Sequence, residues 1–184
     1  MPPKKQSMTV KLLDLVPQYE SIRGEIDAAI GEVVSSQQFI LGKKVEELEA
    51  AIARSCGVKH AVGVASGTDA LLLALMALGV KEGDEVVTTP YTFFSTVSSI
   101  TRLGARPVLA DIDPRTYNVD PDRVSKLVTR ATRAILVVHL FGQIAEMDAI
   151  MAAAGRFGVP VVEDACQSIG ARYRGRPAGS IGSA

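Results

Sequence analysis

The sequence has few of the features that mark secreted or membrane proteins. It contains only two cysteines, Cys56 and Cys166, and their spacing matches no metal-binding motif. Free, buried thiols in a reducing cytoplasm are the simplest interpretation, and a disulfide or a reactive thiol is the alternative. No apolar run is long enough to cross a bilayer, and the first residues lack the apolar stretch of a signal peptide. We therefore expect a cytoplasmic protein without a membrane partner.

An excess of charge of either sign is also absent, because 20 lysines and arginines balance 20 aspartates and glutamates. This balance argues against a nucleic-acid-binding protein, which normally carries a basic face. Apolar residues, in contrast, are plentiful: they make up 47% of the 184 residues. This composition argues against general disorder, and the length suits one α/β domain or a part of a larger one.

Strand-like and helical segments alternate through most of the chain. Five short runs rich in Val or Ile have the length and composition of strands buried on both faces, and helical stretches separate them. This alternation predicts an α/β fold with a mostly parallel sheet and helices on both faces. The predicted strands are residues 61–64, 86–89, 107–110, 135–138 and 159–162, and the predicted helices between them are residues 69–78, 95–103, 122–128 and 147–157.

Two more helices are predicted before this pattern, over residues 19–34 and 43–55, from apolar residues at three- and four-residue steps. The chain is thus expected to consist of a flexible tail (1–11), N-terminal helices (12–58) and a partial α/β domain (59–184).

Candidate ligand-binding residues follow the predicted strands, because open parallel sheets bind ligands beyond the carboxyl ends of their strands. Ser66, Gly67 and Thr68 lie between a strand and a helix, where backbone N–H groups and two hydroxyls can hold a phosphate; an ordinary helix cap is the alternative. Asp164 should end a buried strand, where a carboxylate needs a cation such as a protonated pyridine nitrogen or an arginine. A structural ion pair or a helix N-cap is the alternative for Asp164.

Phe93 and His139 follow two other predicted strands. Phe93 has the ring to stack on a flat cofactor, or it belongs to the core. His139 is suited to bond a cofactor oxygen, or it is a core histidine with satisfied hydrogen bonds. Near the C-terminus, a basic cluster either contacts nucleotide phosphates or lies in a solvated turn; its members are Arg172, Arg174 and Arg176.

Five motifs, in order along the chain from about residue 13 to the last residue, resemble the DegT/StrS-type sugar aminotransferases. These are enzymes of the aspartate-aminotransferase fold (fold type I) that depend on pyridoxal 5'-phosphate (PLP). The resemblance implies a sheet of seven strands in the order 3-2-4-5-6-7-1, of which the five predicted here are the first five. The motifs are residues 67–71 (GTDAL), 83–90 (GDEVVTTP), 110–114 (ADIDP), 139–143 (HLFGQ) and 162–171 (VEDACQSIGA).

The resemblance implies a role for each candidate residue. Gly67 and Thr68 would bind the cofactor phosphate, and Phe93 would stack on the pyridine ring. Asp164 would pair with the ring nitrogen and keep it protonated, so that the ring can accept electrons. Gln167 would hydrogen-bond the ring hydroxyl.

Ser66 and His139 are further candidates for cofactor contacts. The implied reaction transfers an amino group from glutamate to a nucleotide-linked keto-sugar in amino-sugar biosynthesis. The resemblance also implies a homodimer with shared active sites, and it implies no metal.

The lysine that forms the Schiff base in this family is expected about ten residues beyond residues 179–183, so it would lie beyond Ala184. None of the eight lysines of the sequence stands in its place. We therefore expect the 184-residue chain to be inactive alone, and to be poorly stable or to aggregate, because strand 61–64 would lack its usual partner.

Three other functions are possible readings of the same residues. One is a non-catalytic remnant of the family that binds a phosphate-bearing ligand. Another is a related PLP-dependent sugar dehydratase, in which a histidine replaces the lysine. An NAD-linked oxidoreductase is disfavoured because the glycine fingerprint is missing and because Asp164 and Gln167 have the spacing of the PLP enzymes.

Overall fold

The computed structural model describes residues 10–184, so most of the predicted N-terminal tail lies outside the described residues. The chain divides into two compact units, Met1–Glu47 and Leu48–Ala184. The domain boundaries expected from the sequence, after residues 11 and 58, stay a prediction.

Two helices were expected in the N-terminal part, and both are present. Helix α1 spans Val16–Ser36 and helix α2 spans Lys43–Cys56. Gln37 ends α1 in the left-handed conformation, with a φ of 57°. Within the first unit, Lys44 of α2 forms a salt bridge of 2.6 Å with Glu32 of α1.

The second unit contains a four-stranded parallel sheet in the order β2-β1-β3-β4. This order agrees with the order 3-2-4-5 expected for the corresponding predicted strands. A short antiparallel hairpin, β5-β6, follows the sheet. The elements are α3 (Gly67–Ala77), β1 (Glu85–Thr88), α4 (Phe94–Thr101), β2 (Arg106–Leu109), α5 (Pro121–Leu127), β3 (Thr132–Val138), a 3-10 turn (Leu140–Gly142), α6 (Met147–Gly155), β4 (Val161–Asp164), β5 (Arg172–Tyr173) and β6 (Arg176–Pro177).

Helices cover both faces of the sheet, as the alternation predicts. Neighbouring strand residues face opposite sides, so Val86 and Val162 pack with α3 and α4, whereas Val87 and Val161 pack with α5 and α6. Strands β1, β3 and β4 are buried on both faces, which explains why they read as continuous apolar runs, whereas the edge strand β2 is partly exposed. The α/β fold class with a parallel sheet is therefore confirmed.

The predicted strand at residues 61–64 is wrong. This segment has no regular secondary structure, and the side chain of Val62 is 78% exposed. No neighbouring strand lies beside it within residues 10–184. The Gly63 N–H donates to Glu49 Oε1 at 2.7 Å. Apolar composition alone does not form a strand when no partner completes the ladder.

The last residues of the chain cover part of the outer edge of β4. The Ser183 N–H donates to the Val161 carbonyl at 2.6 Å, and the Ala184 carbonyl accepts from the Glu163 N–H at 2.8 Å. Two backbone hydrogen bonds therefore satisfy part of this edge. In the part of the chain that the structure describes, no helix is long and apolar enough to cross a membrane.

Candidate functional site

A cavity of about 680 Å³ lies at the carboxyl ends of the strands. The N-terminus of α3, the end of β1, the end of β3 and the end of β4 surround it, which is where the topology of an open parallel sheet predicts a ligand site. Five of the residues predicted to bind a cofactor line it together, and so does the further candidate His139, whereas Ser66 does not. The lining residues are Gly67, Thr68, Pro90, Tyr91, Thr92, Phe93, Ser95, Val138, His139, Leu140, Phe141, Asp164, Cys166 and Gln167.

The N-terminus of α3 offers donors to an anion. Ser66 caps the helix: its Oγ accepts from the Asp69 N–H at 3.1 Å and donates to Asp69 Oδ2 at 2.9 Å. The N–H groups of Gly67 and Thr68 belong to the first turn, so they have no acceptor within the helix, and they lie at its positive end. Because the Ser66 hydroxyl is already bonded to Asp69, the backbone donors are the groups best placed to hold a phosphate.

Gly67 also keeps the cavity open. A Cβ atom at this position would lie 2.9 Å from Cys166 Sγ, which is closer than van der Waals contact permits. The backbone and the space around it therefore form a cradle that a side chain would fill.

Asp164 ends β4 and is 6% exposed. Its Oδ2 accepts from Thr96 Oγ1 at 3.2 Å, and its Oδ1 accepts from the Cys166 N–H at 3.4 Å. Within residues 10–184, no lysine, arginine or histidine forms a salt bridge with this carboxylate. A buried carboxylate that borders a cavity and lacks a cation fits a protonated ring nitrogen of a ligand.

Two threonines support Asp164, and the sequence analysis missed both. Thr96 is fully buried in α4, and its Oγ1 lies 2.8 Å from Thr92 Oγ1. A hydroxyl has one proton to donate, so Thr96 donates to Asp164 Oδ2 and accepts from Thr92. The four-residue spacing of these hydroxyls directly after a strand was the available signal.

Phe93 and Gln167 lie on the rim of the cavity. The Phe93 side chain is 75% exposed, so its ring is free to stack on a flat ligand rather than being part of the core. Gln167 Oε1 accepts from the Phe141 N–H at 3.2 Å. Its Nε2 protons are therefore the donors that remain for a ligand.

His139 borders the cavity, but its ring is buried and both ring nitrogens have partners inside the protein. Nδ1 accepts from the Ala145 N–H at 3.3 Å, so the proton is on Nε2, which donates to Glu163 Oε2 at 2.9 Å. This arrangement is that of the core histidine that the sequence analysis gave as the alternative. Contact between His139 and a cofactor oxygen stays a prediction, and the observed bonds favour a structural role.

Glu163 is a functional candidate that sequence reasoning missed. Its buried carboxylate accepts the Gly179 N–H at 3.0 Å, the Ile181 N–H at 2.7 Å and the Gly182 N–H at 2.6 Å, in addition to His139. Burial tends to raise the pKa of Glu163, but the bonds from His139 and the three N–H groups hold the pKa below its usual value. Glu163 therefore ties the chain after β6 to the end of β4.

The two cysteines are free, as expected, but Cys166 is exposed on the cavity wall rather than buried, and Cys56 is half-buried. Desolvation raises the pKa of Cys166 to about 11, with a smaller contribution from Asp164. The thiol is therefore protonated at neutral pH, which argues against a nucleophilic role.

The basic cluster near the C-terminus lies in and beside the β5-β6 hairpin. Arg174 and Arg176 both pair with Asp148, at 2.8 Å and 2.7 Å, and Arg172 donates to the Gly175 carbonyl. These contacts favour the solvated turn over a site for nucleotide phosphates. Nowhere in residues 10–184 do three His, Cys, Asp or Glu side chains converge as a metal site would require.

The DegT/DnrJ/EryC1/StrS aminotransferase family matches residues 20–184 of this sequence. The chain belongs to this family. The resemblance inferred from the five motifs is therefore confirmed. Aminotransferases of this family depend on PLP.

Among curated relatives, the chain is 51% identical over 177 residues to a pleiotropic regulatory protein of Geobacillus stearothermophilus, covering 96% of this chain and 48% of the relative. It is 47% identical over 167 residues to UDP-2-acetamido-2-deoxy-3-oxo-D-glucuronate aminotransferase of Pseudomonas aeruginosa, covering 91% of this chain and 46% of the relative. The chain thus spans about half the length of these curated relatives.

The fold also matches solved structures of this family. The crystal structure of DesV from S. venezuelae, in complex with a ketimine intermediate, superposes with a TM-score of 0.90 at 46% identity. The match covers 93% of this chain and 46% of DesV. The fold is therefore the aspartate-aminotransferase-like fold of PLP enzymes that the resemblance implied.

Proposed function

We propose that this chain forms the cofactor-binding part of a PLP-dependent aminotransferase that transfers an amino group from glutamate to a nucleotide-linked keto-sugar, in amino-sugar biosynthesis. One observation carries the proposal: a phosphate cradle, an exposed ring and a buried carboxylate with no salt-bridge partner among residues 10–184 line the same cavity. Sugar aminotransferases among the relatives, at 42–47% identity, support the substrate class.

Each residue has a distinct task in this proposal. When bound, PLP supplies an electron sink for the negative charge that develops at the substrate carbon. The N–H groups of Gly67 and Thr68 hold the phosphate, and Phe93 covers one face of the ring. Asp164 keeps the ring nitrogen protonated, and Gln167 donates from Nε2 to the ring hydroxyl.

The site described so far has no lysine that could bind PLP covalently and transfer a proton. No lysine within residues 10–184 lines the cavity. We propose that the 184-residue chain binds PLP without a covalent bond and does not transaminate alone. Borohydride treatment of the chain with PLP is expected to leave no single lysine labelled in stoichiometric amount, as measured by peptide mass spectrometry. Such a label would contradict this part of the proposal.

The charge of Asp164 gives the sharpest test. Asp164→Asn keeps the shape of the side chain but removes the negative charge opposite the ring nitrogen. A charge-assisted bond contributes about 1.5–3 kcal/mol, so the dissociation constant for PLP should rise at least about tenfold. Visible absorbance or fluorescence titration with PLP measures this constant.

Asp148→Asn is the matched control, because Asp148 pairs with Arg174 and Arg176 away from the cavity residues. It should leave the dissociation constant within about twofold of the unmodified chain. Equal PLP affinity of the unmodified chain and the Asp164→Asn variant would overturn the proposed role.

A second candidate function is a non-catalytic domain that binds a phosphate-bearing ligand, which the absence of a lysine from the described cavity wall favours. A PLP-dependent sugar dehydratase is the third candidate. Both keep the phosphate cradle, so PLP binding alone does not separate them from an aminotransferase. A glutamate-dependent change in the spectrum of bound PLP, measured with a lysine-bearing second half supplied in the same chain, is expected only for the aminotransferase.

We further propose a homodimer as the working assembly and the cytoplasm as its location. Shared active sites in the family and the two free cysteines support these proposals. No nucleic acid or membrane is part of the proposed function.

A further inference from the structure

Asn118 closes the loop that follows β3. It is the only asparagine in the sequence, and it is 3% exposed. Its Nδ2 donates to the Gln143 carbonyl at 3.0 Å, and its Oδ1 accepts the Leu140 N–H at 3.0 Å. One side-chain amide thus bonds both ends of residues 140–143, which we call the 140–143 loop. Only a side chain that donates and accepts at this spacing is able to do so.

The chain between β2 and α5 forms a turn that places Asn118 beside the 140–143 loop. The Asp113 N–H donates to the Asn118 carbonyl at 2.9 Å, and an antiparallel bridge joins Ile112 to Val119. Tyr117 adopts a positive φ of 60° directly before Asn118. A non-glycine residue in this conformation is strained, so the surrounding structure must hold it there. The motif at residues 110–114, which is not among the residues that line the cavity, forms the first arm of this turn.

The 140–143 loop in turn contacts Gln167. Phe141 lies in the left-handed region, with a φ of 53° and a ψ of 25°, and its N–H donates to Gln167 Oε1 at 3.2 Å. An amide side chain has two orientations that differ in which atom faces a given partner. The Phe141 N–H selects the orientation that leaves Nε2 as the donor for a ligand.

We propose that Asn118 is a positioning residue for Gln167. By bonding both ends of the 140–143 loop, it holds Phe141 in the conformation that directs its N–H at Gln167, and so it orients the Gln167 amide toward a ligand oxygen. The proposal rests on the proposed function for the identity of that oxygen, the ring hydroxyl of PLP. The loop contact itself is independent of any ligand.

The first experiment uses the full chain without PLP and compares Asn118→Ala with the unmodified chain. Hydrogen exchange at the Leu140 and Phe141 amides should accelerate at least about tenfold. The Leu140 N–H loses its acceptor Asn118 Oδ1, and the Phe141 N–H loses the loop conformation that directs it at Gln167. The side-chain amide signal of Gln167, assigned by ¹⁵N labelling and Gln167→Glu, should also shift. An unchanged exchange rate and an unchanged Gln167 signal would overturn the proposal whether or not PLP binds.

Gln143→Ala is the matched control in the same loop. Asn118 bonds the backbone carbonyl of Gln143, and the exposed Gln143 side chain is not part of the contact. Exchange at Phe141 should therefore stay within about twofold of the unmodified chain. Acceleration equal to that of Asn118→Ala would show general loosening of the loop and would count against a specific role of the asparagine.

The second experiment is a double-mutant cycle on the dissociation constant for PLP. Asn118→Ala should raise the constant about tenfold in the unmodified background and less than twofold in the Gln167→Ala background, because its effect passes through Gln167. An equal effect in both backgrounds would overturn the positioning role. If Asp164→Asn does not weaken PLP binding, the proposed function fails, and the ligand-free measurements still decide the loop contact.

Asn118→Asp covers the case in which Asn118→Ala does not fold. The aspartate keeps the acceptor for the Leu140 N–H but has no donor for the Gln143 carbonyl. Exchange at Phe141 should accelerate about threefold or more, in a protein whose thermal unfolding remains cooperative. Exchange equal to that of the unmodified chain would contradict the proposal.

Discussion

At the scale of single residues, Gly67 and Cys166 compete for the same space. The Cys166 sulfur occupies the position next to which a side chain at residue 67 would project, at 2.9 Å from the ideal Cβ. Cys166, which follows β4, therefore leaves no room for a side chain at the N-terminus of α3. The two positions should behave as a coupled pair.

Gly67→Ala is expected to weaken PLP binding about tenfold, because either the cysteine or the first turn of α3 must move. In the Cys166→Ala background the same substitution should cost less than about threefold, since the smaller side chain leaves room for the methyl group. Titration of the four variants with PLP measures this coupling.

Gly155→Ala in α6 is the matched control, because nothing lies within 4 Å of a Cβ there. It should leave PLP affinity unchanged and should not lower the free energy of unfolding. An equal loss of affinity for Gly67→Ala in both cysteine backgrounds would show that the steric account is wrong.

At the scale of elements, β4 carries two neighbouring carboxylates with different surroundings. Asp164 borders the cavity and bonds Thr96, whereas Glu163 is enclosed by His139 and the N–H groups of residues 179–182. The strand alternation that sorts Val161 and Val162 to opposite faces sorts these acids as well. In the proposed function Asp164 serves the ligand, whereas Glu163 anchors the chain that follows the hairpin.

Glu163→Gln should lower the free energy of unfolding by about 2–4 kcal/mol at pH 7, because an amide cannot accept all four donors. The pKa of Glu163 is lowered from 4.5 in the folded state, so its stabilisation is fully present above that value and is lost as the pH falls through the lowered pKa. The difference between the two proteins should therefore shrink as the pH falls from 7 to 3. Urea unfolding across this range measures it.

Glu146→Gln is the control, because exposed Glu146 accepts a single bond from the Tyr173 hydroxyl. It should change the free energy of unfolding by less than about 0.5 kcal/mol at pH 7. A difference between Glu163→Gln and the unmodified chain that does not vary with pH would contradict an ionised Glu163.

Much of this architecture could be predicted from the sequence, for physical reasons. Apolar runs indicated the four strands, of which β1, β3 and β4 are buried on both faces. The carboxyl ends of β1 and β4 brought Phe93 and Asp164 to the cavity that Gly67 also lines. The strand at residues 61–64 could not be judged, because a strand needs a neighbour that the local pattern does not reveal. Glu163 was missed because three of its partners are backbone N–H groups, which leave no mark in the side-chain pattern.

At the scale of the whole molecule, several large apolar side chains near the cavity are exposed. Phe93 is 75% exposed and Phe94 is 77% exposed, and Val62 lies in the unpaired segment before α3. Exposed apolar side chains of this size favour association with another protein surface. The chain spans about half of its curated relatives, so a second half and a second copy are the proposed covers for this surface.

The purified 184-residue chain is expected to self-associate rather than remain a compact monomer of 19.5 kDa. Phe94→Glu should weaken this association at least about tenfold, since a charge opposes burial of the patch. Phe157→Glu is the control, because this 51% exposed phenylalanine lies before the amino end of β4 and is not among the residues that line the cavity. Sedimentation equilibrium measures both, and a stable monomer of the unmodified chain would refute the expectation.

The adjacency of Glu163 and Asp164 limits how this strand is able to change. A deletion or insertion of one residue within β4 would exchange the two faces of the strand, so that Glu163 would turn toward the cavity and Asp164, the proposed ligand-binding acid, would turn into the interior. The cavity would then lose its charge partner and the following chain would lose its attachment in a single event. A change in the length of β4 would therefore disturb the cavity and the placement of residues 179–182 at the same time. Length variation in this family is expected in loops and not in β4.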